Sequence, residues 1–203
     1  RNYWTLVFGC SSQVPHSIPL VYKQTRFDLG EAPLTIVKIT TNDIIKNGIW
    51  LTFPPLLFSL SLMSFLPTAL TPAQFNRGIP DLLLNVESIG RILVFAMPAF
   101  FSIAISTKTQ KRGLALYLAG LTLYCLSYGT QNFFPDSAWS NSTIGFAASA
   151  YTNVFWMIGL GLLGEKFYFT ERLRYRPIFY IVPAVVFVIF HTIHAVIYHQ
   201  RSF

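Results

Sequence analysis

The chain has 203 residues, of which 53% are hydrophobic, 16% aromatic and only 11% charged, and its formal net charge is +7. A soluble domain carries roughly 25% charged residues to build its polar shell, so this composition excludes an ordinary soluble domain and points to a chain that turns apolar surface towards lipid. The positive charge does not indicate nucleic acid as a partner, because the basic residues lie in loops between long apolar runs rather than in a patch beside aromatics.

Residues 1–47 precede the first long apolar run and are expected to form a cytoplasmic, membrane-apposed extension. VFGCSSQ around Cys10 has the outline of a lipoprotein cleavage box but lacks an adequate hydrophobic run before it. LTIVKIT (34–40) suits a strand, and TNDIIKNG after it suits a capped helical lead-in to the first span.

From residue 48 to 203 the pattern predicts an all-α integral membrane protein, a bundle of five transmembrane helices. Runs at 48–70, 88–106, 113–129, 143–164 and 177–198 each reach the roughly 17–25 apolar residues that a bilayer requires. They lack the alternation of barrel strands, so helices are expected. With the amino terminus inside, Arg77, Arg91 and Arg201 fall outside and the other twelve Lys and Arg residues fall in the cytoplasm. That bias predicts a cytoplasmic amino terminus and an external carboxyl terminus, with Trp50 and Trp139 near opposite ends of spans.

An ionisable residue inside a span is costly and therefore a functional candidate. NVESIGR opens the second span with Glu87 four residues before Arg91, the spacing and orientation of a helical ion pair. In the fifth span His191, His194 and Tyr198 share one face, while His199 points elsewhere near the interface. Two imidazoles so placed can ligate a divalent metal if another helix supplies further ligands; metal-free histidines hydrogen-bonded between helices are the plainer expectation. Asp136 lies in the outer loop FFPDSAWSNS. Topology thus places Glu87, Arg91, Asp136, His191 and His194 towards one outer-leaflet region, with Glu87, Arg91 and Asp136 as candidate catalytic groups.

Gly145, Ser149 and Asn153 follow a small-residue spacing, with Asn153 expected to hydrogen-bond another helix, and Ala115 and Ala119 offer a similar tight face. Pro54, Pro55, Pro98 and Pro183 are expected to kink their helices. Arg172, Arg174 and Arg176, in the inner loop EKFYFTERLRYRP, suit anionic lipid headgroups. Asn141 to Thr143 matches a glycosylation pattern at the mouth of a span. Cys10 and Cys125 are far apart and expected to be free thiols. A bis-histidine haem would need histidines on facing helices, whereas both membrane histidines lie on one. The sequence contains no GxSxG, Walker loop or HExxH.

Three functions fit these features. The first is a non-catalytic component, subunit or assembly factor of a membrane complex, partnered by other membrane subunits or by copies of itself. The second is a transporter or channel element with proline-broken helices. The third is a membrane-embedded metal-dependent enzyme acting on a lipid or other hydrophobic substrate near the outer leaflet.

Overall fold

In the computed structural model, which describes residues 41–63, 72–169 and 173–202, prolines and capping side chains decide where most helices begin and end. The segment expected to form a strand at 34–40 lies outside the described residues. Helix α1 (Thr41–Ile45) leads into α2 (Gly48–Leu62). Asn47 joins them: its side chain accepts from the Ile49 amide at 2.9 Å and donates to the Ala99 carbonyl at 3.0 Å. The first turn of α2 is a 3-10 turn, and Pro54 and Pro55 sit in the opening turn of the α-helix that follows. There their missing amides are not needed, so these prolines start a helix rather than kink one.

A short α3 (Pro72–Phe75) precedes α4 (Asp81–Phe100). Pro80 stops the chain in an extended conformation, and Asp81 then opens the helix with a negative charge at its positive end. The helix therefore starts well before the expected residue 88. Its last residues, Met97–Phe100, tighten into a 3-10 turn around Pro98, and the backbone becomes extended at Phe101. Strand β1 (Phe101–Ile103) thus occupies part of the expected second span.

Helix α5 (Lys108–Phe133) outruns the expected 113–129 at both ends. Thr107 and Gln110 form a reciprocal capping box at its start. Further along, Thr122, Ser127 and Thr130 each donate to the carbonyl four residues back, which keeps hydroxyls satisfied inside an apolar helix. The expected continuous span at 143–164 is instead broken into α6 (Thr143–Phe146), α7 (Ala148–Tyr151) and α8 (Asn153–Leu163). Gly145 is pressed against the loop before it, where an added Cβ would lie 1.9 Å from the Trp139 carbonyl oxygen. Thr152 and Asn153 side chains bond the carbonyls of Ala148 and Ser149, the local competition that bends helices. Strand β2 (Gly164–Phe167) pairs antiparallel with β1, and α9 (Ile178–Ser202), with Pro183 inside it, closes the described chain.

Helices α4, α5 and α9 are long and apolar enough to cross a bilayer, as in an integral membrane protein; α2 and the Ala148–Leu163 stretch are shorter apolar helices. At about 1.5 Å per residue, α9 is roughly 37 Å long, enough for a hydrocarbon core of about 30 Å.

Two seams hold these helices together. On α5 the residues Gln110, Gly113, Tyr117, Gly120, Tyr124 and Gln131 are buried. Their spacing is that of a coiled-coil seam. Against α8 this seam reaches backbone contact: a Cβ at Gly120 would lie 2.3 Å from the Trp156 nitrogen, and one at Gly159 2.4 Å from the Tyr117 nitrogen. Ala115 and Ala119, the expected tight face, are exposed on the other side of the helix. Only glycine permits the approach seen here, which is why Gly113 and Gly120 make it instead. The second seam joins α4 to α9, where Gly90 packs on Phe187 and the Tyr180 hydroxyl donates to the Val94 carbonyl at 3.2 Å.

The connecting segments gather at two ends. At one, Asn47 bridges Ser102, β1 pairs with β2, and the Tyr168 hydroxyl donates to the Asp43 carbonyl at 2.7 Å. At the other, Arg201 donates to the Gly78 carbonyl and His199 bonds the Asn141 carbonyl at 3.0 Å.

Candidate functional site

Glu87 lies where α4 meets α9, and it is only 3% exposed. One turn along α4, Arg91 donates to Oε1, as the four-residue spacing predicts. From α9, His191 Nδ1 lies 3.1 Å from the same oxygen and His194 Nδ1 lies 2.5 Å from Oε2. One carboxylate therefore serves three partners from two helices.

The protons in this cluster can be counted from its acceptors. His194 Nε2 is 3.0 Å from the Phe75 carbonyl oxygen, which can only accept, so Nε2 carries a proton. The contact between Nδ1 and Oε2 then requires one further proton, shared by ring and carboxyl group. Wherever that proton sits, the Glu87–His194 pair is neutral as a unit. His191 donates Nδ1–H to Oε1. The guanidinium of Arg91 is thus not cancelled, and the cluster is net positive. Aromatic faces fix both rings: Phe75 stacks on His194 at 4.2 Å and Phe187 on His191 at 5.3 Å.

A cavity of about 520 Å³ opens beside the cluster. Arg91 and His191 bring the cluster to its wall, and α5 contributes Tyr124, Tyr128 and Gln131. Gln131 is fixed by donating to the Phe146 carbonyl and accepting from the Ser149 hydroxyl at 3.0 Å. Phe95, Trp156 and Phe187 supply apolar wall, and Trp156 Nε1 donates to Asn153 Oδ1 at 2.7 Å.

The structure thus brings Glu87, Arg91, His191 and His194 together and leaves Asp136 apart, exposed in its loop. Both His194 nitrogens are committed to hydrogen bonds. Among the described residues no group of three His, Cys, Asp or Glu is disposed to hold a metal ion. Ser149 does reach a packed neighbour, α5, through Gln131, whereas Asn153 bonds only back to Ser149 in the adjoining α7 and to Trp156 in α8. His199 is buried within the protein: Nε2 donates to the Asn141 carbonyl at 3.0 Å and Nδ1 lies 3.2 Å from the Thr143 hydroxyl. Tyr198 stacks on Phe146 at 5.9 Å and meets Phe75 at a tilt, 4.9 Å away. Cys125 is a half-buried free thiol, and Arg174 and Arg176 are exposed. Cys10 and Arg172 lie outside the described residues.

Sequence reasoning missed Phe75, whose carbonyl and ring complete the His194 environment, and Gln131, which lies beyond the expected end of the third span. The heptad-like spacing from Gln110 to Gln131 was the available signal for Gln131. A backbone acceptor such as the Phe75 carbonyl leaves no residue-type signal at all.

No protein-family model, curated protein or solved structure matches this chain. The geometry of the site therefore carries the functional argument.

Proposed function

We propose that this chain is a five-span integral membrane protein that holds a small amphipathic molecule between its helices without transforming it, as a transporter or carrier element does. The observation that carries this reading is the cavity of about 520 Å³ walled by aromatics, with Arg91 and His191 at its polar edge. Its size falls in the range of small-molecule sites, roughly 300–1,000 Å³, and ionisable groups at membrane depth mark substrate or ion paths. The broken path from Thr143 to Leu163 and the tightened turn at Pro98 support the same reading, since interrupted helices are how carriers expose backbone to substrate.

The amino terminus is placed in the cytoplasm and the carboxyl terminus outside. Twelve of the fifteen basic residues support that orientation, as does the gathering of connecting segments at two ends. Arg172, Arg174 and Arg176 then face anionic headgroups of the inner leaflet. A divalent metal at His191 and His194 would first have to displace either the Glu87–His194 contact or the Phe75 carbonyl, which weighs against the metal-enzyme reading.

Cysteine accessibility tests the carrier reading. In a background with Cys10→Ser and Cys125→Ser, Ser59→Cys and Ser149→Cys line the cavity, whereas Leu126→Cys lies on an exposed face of α5. A water-soluble thiol reagent is expected to label the first two faster than the third. Rates as slow at Ser59 and Ser149 as at Leu126 would overturn the reading.

A second reading, a subunit of a larger membrane complex or a homo-oligomer, is favoured by Ala115 and Ala119, small residues exposed on a face of α5 that the described residues leave uncovered. Oxidative cross-linking of Ala115→Cys in membranes is expected to yield a dimer or adduct if that face is occupied, and monomer alone would sink this reading.

A further inference from the structure

Resting on the reading of the cavity as a ligand site, we infer that its ligand is an anionic amphiphile, with an acidic headgroup on Arg91 beside His191 and an apolar body among the aromatic walls. The charge count leads here. The Glu87–His194 pair is neutral as a unit, so the positive charge of Arg91 is not cancelled within the cluster. Arg91 pairs with Glu87 through one terminal nitrogen, its side chain is 56% exposed, and it lines the cavity. A guanidinium has five donors, and among the described residues those not turned to Glu87 meet no acceptor. No carboxylate lines the cavity among the described residues.

Three ligand classes can be weighed against that wall. A cation would meet Arg91 with no carboxylate at hand, because Glu87 is buried and already shared by three partners. A neutral ligand would cover a guanidinium with nothing to balance it, and an unbalanced charge in apolar surroundings is costly. A carboxylate or phosphate matches the planar fork of arginine and neutralises it. The rest of the wall, Phe95, Tyr124, Trp156 and Phe187 among it, suits an alkyl or aromatic body.

The test uses the full chain in phosphatidylcholine nanodiscs, with dansylated undecanoic acid and its methyl ester as probes. Trp156, 1% exposed and in the cavity wall, transfers energy to a bound dansyl group, and Trp156→Phe identifies the part of the signal that comes from the cavity. The acid is expected to bind saturably and about tenfold more tightly than the ester, the worth of one charge-assisted hydrogen bond. Arg91→Gln should remove that preference and Arg91→Lys should retain most of it.

Equal affinities of acid and ester for the wild-type protein would overturn the anion inference while leaving the cavity as a ligand site. A Trp156-dependent signal that fails to saturate with either probe would overturn the ligand-site reading itself. If folded Arg91→Gln keeps the preference for the acid, the assignment to Arg91 is wrong; if that variant does not fold, the wild-type comparison of acid and ester still decides. Repeating the titration in discs containing phosphatidylglycerol separates the sources of the headgroup. Displacement of the acid assigns an anionic lipid of the bilayer, and undiminished binding assigns a free acid.

Discussion

Between α5 and α8 the backbones touch, through Gly113, Gly120 and Gly159, and no ionisable group takes part in that glycine contact. Between α4 and α9 a buried carboxylate gathers Arg91, His191 and His194, with one looser glycine contact at Gly90 beside it. Lipid tails are as apolar as leucine, so neither seam draws on a hydrophobic drive between helices. The first relies on close packing and the second on charge and hydrogen bonds. It follows that the α5–α8 seam should be sensitive to volume, and the α4–α9 seam to charge at constant volume.

Glu87→Gln is the sharpest break of this comparison, because it keeps the volume and removes the charge. Arg91 loses its ion pair and the proton shared with His194 loses its carboxylate. Arg91 is 56% exposed and its pair adds little, but the buried His194 contact loses its carboxylate, at a cost of up to about 3 kcal/mol, and a lowered midpoint in denaturing-detergent titration is the expected result. A midpoint equal to that of the wild type would show that charge does not hold this seam. Gly120→Ala makes the converse change, adding one methyl and no charge. Its Cβ would lie 2.3 Å from the Trp156 nitrogen, so the helices themselves must separate, at a cost of about 2 kcal/mol. Gly90→Ala is the matched control in the other seam. There the nearest atoms are the Phe187 Cβ at 3.0 Å and Cα at 3.3 Å, so α9 has to give by only a few tenths of an ångström, and the expected loss is below about 1 kcal/mol. Equal losses at Gly90 and Gly120 would erase the distinction between the seams.

The two seams were not equally legible. At α4–α9 the residue types announce themselves: Glu87 and Arg91 are spaced for an ion pair, His191 and His194 share a face, and topology puts both pairs at one end. Topology does not fix the angle around a bundle, and so Asp136, assigned to the same end, stands apart. At α5–α8 the search for small residues one turn apart led to Ala115 and Ala119. The working glycines alternate with Tyr117 and Tyr124 and are separated by two turns. The helix boundaries at Pro80 and Pro98 follow from local backbone chemistry that the residues display. The break near Ala147 does not, because it depends on a contact between Gly145 and the Trp139 carbonyl that forms only once the loop is folded.

The smallest effect is expected at Ala115. Leucine is nearly as good a helix former as alanine, and Ala115 is exposed on the face of α5 away from the glycine contact. Ala115→Leu should therefore change the stability of the isolated chain by less than about 0.5 kcal/mol, although it adds more volume than Gly120→Ala on the same helix. Matching midpoints for Ala115→Leu and the wild type, with a clear loss for Gly120→Ala, would show that position around α5, rather than added bulk, sets the cost. Should Ala115→Leu instead be as damaging as Gly120→Ala, the outward face must also be packed against a helix. Among the described residues nothing covers that face, so a helix of another subunit would be the candidate, and a third seam would join the two compared here.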